Sequence, residues 1–217
     1  MNQDNLTNKT IKGASWSFID NVVNQGVTFL IGLILARLLS PDEYGLIGII
    51  TIFIVLFTSI VDGGLTNALI RKKNPSDKDY NTVYITNIGL SILMFAALFF
   101  LSKPISSFFS RPELVPLIKI MGVILVINAT SAVHKARLSK RIDFKTQTKV
   151  SLISSLLSGT VGIIMAFCGL GVWSLVGQQI SRSLLQSFFT IIWSDWCPKF
   201  LFVYLLVLLS NFIVNSG

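Results

Sequence analysis

Apolar residues gather in seven long runs, at about 14–38, 45–70, 83–101, 114–133, 150–168, 172–193 and 200–215, separated by short polar or charged stretches. An α-helix rises 1.5 Å per residue, so about 20 residues cross the hydrocarbon core of a bilayer. The first six runs meet that length, and the seventh is short. No run alternates strictly between apolar and polar positions, which argues against a β-barrel. Helices are then the remaining form, because in lipid every backbone N–H and C=O must find its partner internally. The pattern predicts an all-α fold: a polytopic transmembrane helical bundle of about six complete spans plus a truncated seventh. It divides the chain into a cytoplasmic segment at 1–13, a transmembrane bundle at 14–199 and a partial span at 200–217. The first run holds polar residues and no small-residue cleavage site, so it reads as a span and not as a removed leader.

The runs are not uniformly apolar. In the first, Ser17, Asn21, Asn24 and Thr28 recur at helical spacing, with Asp20 and Gln25 beside them. In the second, Ser59, Asp62 and Thr66 form a shorter stripe, followed by Asn67. In the sixth, Ser174, Gln178, Arg182 and Gln186 recur every four residues. Residues four apart share one helix face. A charge at mid-bilayer costs about 2.5–3.5 kcal/mol on insertion scales, so these stripes face protein or a water-filled cavity. Arg182, near the middle of its run, either lines such a cavity or pairs with Asp20 or Asp62. Those two acids either bridge a cation of the bundle or take a coupling proton or ion. Lys119 lies about 7 Å from the outer end of its helix, within snorkelling reach, and completes the candidate set. In the fifth run, Ser151, Ser155 and Gly159 make a small-residue ridge suited to close helix packing.

Composition agrees. The chain is 52% hydrophobic and 13% charged, against roughly 25% charged in soluble domains. Its net charge of +8 carries no nucleic-acid meaning, because the basic residues sit in the connections between runs. The stretch His134–Lys149 holds Lys135, Arg137, Lys140, Arg141, Lys145 and Lys149 against the single acid Asp143 and is expected as a basic loop. Such Lys/Arg excess marks cytoplasmic loops. With that loop inside, thirteen of the eighteen basic residues fall on the cytoplasmic side, which places the N-terminus there too. Cys168 and Cys197 have no metal or disulfide spacing, and His134 is the single histidine. No P-loop run occurs. No metal, cofactor or catalytic group is expected, and the chain does not read as an enzyme.

Four segments, ARLLSPDEYG at 36–45, VDGGLTNALIRK at 61–72, HKARLSKRIDFKTQTK at 134–149 and GLGVWSLVGQQISR at 169–182, resemble the Wzx-type polysaccharide exporters. These are the lipid-linked oligosaccharide flippases of the multidrug/oligosaccharidyl-lipid/polysaccharide superfamily, and the likeness runs from about Lys9 to Lys199. The resemblance implies two pseudo-symmetric helical bundles round a central cavity, of which this chain carries the N-terminal one. It implies alternating-access transfer of an undecaprenyl-pyrophosphate-linked glycan across a bacterial inner membrane, for surface polysaccharide, lipopolysaccharide or capsule. It also implies polysaccharide polymerase and chain-length machinery as partners. On that basis Arg182 is expected at the pyrophosphate and Asn24, Gln178 and Gln186 toward the glycan. Asn21, Asp20, Asp62 and Lys119 are the further cavity candidates. Because the chain stops near its seventh span, a truncated exporter is expected, with a drug/cation antiporter of the same superfamily or an inactive fragment as the alternatives.

Overall fold

A computed structural model describes residues 22, 25–61, 65–72, 75–141, 143–194 and 196 of the chain. They form α1 (Gln25–Leu38), α2 (Pro41–Val61), α3 (Leu65–Arg71), α4 (Asp77–Phe108), α5 (Leu114–Met121), α6 (Val123–Lys140), α7 (Phe144–Phe167) and α8 (Val172–Trp193). Among the described residues there is no strand. Among the described residues, four segments are long and apolar enough to cross a membrane: Pro41–Val61, Asp77–Phe108, Leu114–Lys140 and Lys145–Phe167. At 22 residues α8 has the length, but its serines, glutamines and Arg182 keep it out of that apolar class.

Large apolar side chains lie bare on the outside of the bundle. Phe29, Phe100, Phe108 and Phe167 are each more than two-thirds exposed. In water such a surface would drive aggregation, whereas lipid tails solvate it. The fold is a transmembrane helical bundle.

The main packing pairs are α7 on α8, α4 on α6 and α6 on α8. Two apolar clusters hold the bundle. One joins Leu35, Ile50, Leu98, Leu117, Met121 and Leu175 across α1, α2, α4, α5 and α8. The other, at the opposite end, joins Leu69, Tyr80, Val133, Ala136 and Trp196. The small-residue ridge of α7 does what its spacing suggests. A Cβ on Gly159 would collide with Ile31 of α1, and one on Gly162 would come 2.9 Å from the Gln178 Cβ of α8. The α7–α8 turn needs Gly169 and Gly171, whose φ values of 75° and 55° lie where side chains are strained.

Within the run at 45–70 the described residues form α2 to Val61 and α3 from Leu65, and residues 62–64 lie outside the described residues. One expectation changes. The basic stretch His134–Lys149 is not a loop. Its first seven residues continue α6 to Lys140, and Phe144 already opens α7, with the Asp143 carboxylate capping the Thr146 N–H at 3.1 Å. Lysine and arginine are good helix formers, so charge alone does not end a helix. It ends when Asp143 supplies the cap of the next one.

Candidate functional site

The bundle has a basic end and a mixed end. At the basic end, the Lys140 ammonium donates to the Lys72 carbonyl and ties the end of α6 to the end of α3. Lys72 pairs with Asp79 at 2.8 Å, and Asp79 completes a capping box with Ser76 at the start of α4. At the far end Arg111 meets Asp42 at 3.3 Å, and Glu43 accepts from the Ser40 N–H at 2.7 Å. The basic residues on either side of the α6–α7 turn therefore share one end with Arg71 and Lys72. That grouping agrees with the clustering expected from the connections.

Of the candidate residues, Asp20, Asn21, Asn24 and Asp62 lie outside the described residues. None of the other four lines either of the two cavities described below. Lys119 lies in the last turn of α5 with its Nζ 4.4 Å from the centroid of the Phe99 ring on α4, a cation–π contact. Gln178 rests its stem against Gly162 of α7. Gln178, Arg182 and Gln186 are half-buried, while Ser174, at the head of the stripe, is fully buried with no partner for its hydroxyl.

Near Arg182 the stripe on α8 lies opposite exposed Leu184, Phe188 and Ile191, whereas Trp193, exposed at the end of the helix, lies on the stripe's own side. At about 100° per residue, Arg182 lies between roughly 120° and 180° round the helix from Leu184, Phe188 and Ile191. Those three are among the exposed apolar residues of α8. Arg182 thus shares the interior side with Gln186, and among the described residues no hydrogen bond or ion pair holds its guanidinium. Five guanidinium N–H donors in a planar fork suit an oxyanion with two accepting oxygens.

A polar cavity that sequence reasoning missed lies between α2, α3 and α6. It measures about 320 Å³ and is lined by Thr58, Thr66, Asn67, Asn128, Ala132 and Lys135. Thr66 and Asn67 belong to the short stripe read from the second run. Asn128 and Lys135 come from α6, where their spacing of seven with Ala132 between them was the available signal. Behind Thr66, the fully buried Asn87 of α4 donates to the threonine hydroxyl at 3.2 Å. Alongside, an open groove of about 590 Å³ runs down α2 past Thr51, Ile52, Val55, Leu56, Ser59 and Ile60. Among the described residues, no group of three or more His, Cys, Asp or Glu side chains is placed to hold a metal ion.

Comparison with known proteins supplies the family. Residues 34–212 match the model of the family described as polysaccharide biosynthesis protein. The chain is 28% identical to the succinoglycan biosynthesis transport protein ExoT of Rhizobium meliloti, over 89% of this chain and 40% of that protein. It is 31% identical to the lipopolysaccharide biosynthesis protein WzxC of Escherichia coli, over 85% of this chain and 38% of that protein. It is 28% identical to the teichuronic acid biosynthesis protein TuaB of Bacillus subtilis, over 91% of this chain and 41% of that protein. The chain thus spans about 40% of the length of these curated relatives. No solved structure matches. With the family model covering most of its length, the chain belongs to the polysaccharide biosynthesis protein family.

Proposed function

We propose that this bundle forms one wall of a passage that carries lipid-linked oligosaccharide repeat units from the inner to the outer leaflet of a bacterial cytoplasmic membrane. Its role is transport and not catalysis. The observation that carries this reading is Arg182: a half-buried guanidinium with no ion-pair partner among the described residues, turned away from the lipid-facing side of α8. A substrate with a pyrophosphate supplies the oxyanion that such a group lacks, in bidentate geometry. Gln178 and Gln186, one turn to either side, offer both donors and acceptors to sugar hydroxyls. Asp20, Asn21, Asn24 and Asp62 are assigned to the same passage on their spacing in the sequence. Movement of the unit follows from rocking of this bundle against a second one. The N-terminus and the basic end of the bundle face the cytoplasm, as Lys/Arg bias requires.

The test is Arg182→Gln placed in the chromosomal gene, with surface polysaccharide and inner-leaflet lipid-linked repeats both measured. Loss of a charge-assisted pair lowers transport by about tenfold or more, with repeats accumulating inside. Arg182→Lys retains the charge but not the fork and falls between. Normal export in Arg182→Gln removes this assignment. Normal export with altered resistance to cationic drugs moves the chain to the antiporter reading.

A further inference from the structure

Helix hydroxyls in this bundle commonly close on their own backbone. Thr51, Ser59, Thr82, Thr130 and Ser131 each donate to a carbonyl three or four residues back. Thr58 does not. Its hydroxyl has no partner among the described residues and lines the cavity between α2, α3 and α6. Asn67 and Asn128 bring their amides to the same cavity, again with no partner among the described residues. Thr66, held from behind by the buried Asn87, completes the uncharged polar lining, and Ala132 adds an apolar patch. Asn128 lies about 18 Å along the axis from the end of α6 and Lys135 about 7 Å, so the lining reaches hydrocarbon depth. Unpaired polar groups are costly there.

The chemistry of the lining narrows its occupant. Lys135 already has an interaction partner, so its ammonium is not an open receptor for an anion. That same charge, with no carboxylate among the described lining residues, disfavours a cation. An uncharged ligand that both donates and accepts hydrogen bonds remains. Amides and hydroxyls do both, and so does each hydroxyl of a sugar. About 320 Å³ is roughly ten waters' worth of space, room for one sugar ring but not for an oligosaccharide. We propose that this cavity takes one uncharged sugar ring, its hydroxyls on Thr58, Asn67 and Asn128 and its C–H face toward Ala132. Free sugars and the sugars of a lipid-linked unit share that chemistry. Assigning the ring to the transported unit rests on the transport reading above; the sugar site itself does not.

The experiment is saturation-transfer NMR on the full chain in nanodiscs, with the methyl glycosides of glucose, galactose and rhamnose as probes. At least one of the three receives saturation from the wild type. Asn128→Leu and Thr58→Val, which keep the shape, weaken its binding by about three- to tenfold each. Ser59→Ala removes a neighbouring hydroxyl that is bonded to its own helix, and leaves binding unchanged. No transfer to any of the three glycosides would overturn the proposal and leave the cavity to water. Equal transfer in Asn128→Leu and wild type would overturn it too. Competition then separates the two sources. If the prenyl-pyrophosphate-linked form of the bound sugar displaces the glycoside at about tenfold lower concentration than the free sugar, the ring belongs to a lipid-linked unit. Equal potency keeps the sugar site and detaches it from the transport reading. Displacement by prenyl pyrophosphate carrying no sugar would overturn the sugar as occupant.

Discussion

One helix, α6, has two polar edges about a quarter turn apart, and the bundle treats them oppositely. On the edge toward α8, every polar group is closed off. Ser187 approaches both the Ile127 carbonyl and the Ser131 hydroxyl at 3.0 Å. One turn on, His134 Nδ1 meets Ser194 Oγ at 2.5 Å. The Ser194 proton goes to the Ile191 carbonyl at 3.1 Å, so the imidazole N–H is the donor in that pair. Around His134 stand Tyr84 and Trp196, with ring centroids 6.3 and 5.1 Å away. On the edge toward α2 and α3, Asn128 and Lys135 line a cavity of about 320 Å³. The same residue classes thus serve as mortar on one edge and as lining on the other. What separates the two roles is the space beside each edge, and polarity by itself does not.

Breaking the sealed edge should have the largest effect. His134 is 1% exposed, so His134→Ala opens a void among Tyr84, Trp196 and Val133 and strips Ser194 of its donor. Large-to-small core changes cost about 2–5 kcal/mol, and the orphaned hydroxyl adds to that. Unfolding in mixed detergent micelles should show a loss on the order of 3 kcal/mol. Asn128→Ala, on the cavity edge, should change stability by less than about 1 kcal/mol, as expected away from packed groups. Equal losses in the two variants would erase the distinction between the edges.

The bundle and its spans were legible because apolar run length is a direct consequence of bilayer thickness. The ridge of α7 was legible for a similar reason: Gly159 admits a neighbouring helix wherever it sits, and Ile31 fills the space. The polar edges of α6 were hidden. Asn128 and Ser131 fell at the tail of an apolar run, and His134 and Lys135 were absorbed into a basic block expected to be solvated. The block is helical to Lys140, which carries Lys135 back into the bundle. On α8 the stripe from Ser174 to Gln186 was visible. Its division was not: Gln178 leans on α7, whereas Ser187, one residue beyond the stripe, makes the bond to α6. A face read from one helix does not name the neighbour that will meet it. That depends on which other helix has a gap of matching depth, here Gly162.

The smallest effect belongs to the serine pair, and it is the sharpest test of mortar against lining. Ser131 and Ser187 are fully or nearly buried, and their hydroxyls touch at 3.0 Å. Each also reaches a carbonyl of α6, Ser131 that of Asn128 at 3.1 Å and Ser187 that of Ile127 at 3.0 Å. A double-mutant cycle of Ser131→Ala and Ser187→Ala isolates the side-chain pair from those carbonyl bonds. Interhelical hydrogen bonds in membranes average about 0.6 kcal/mol in such cycles, because the unfolded chain also finds partners. A coupling near that value is expected here. The corresponding cycle across the cavity, Asn128→Ala with Asn67→Ala, should show no coupling. Coupling across the cavity would mean that the open edge is already closed by its own residues. The two sides of α6 would then differ only in degree.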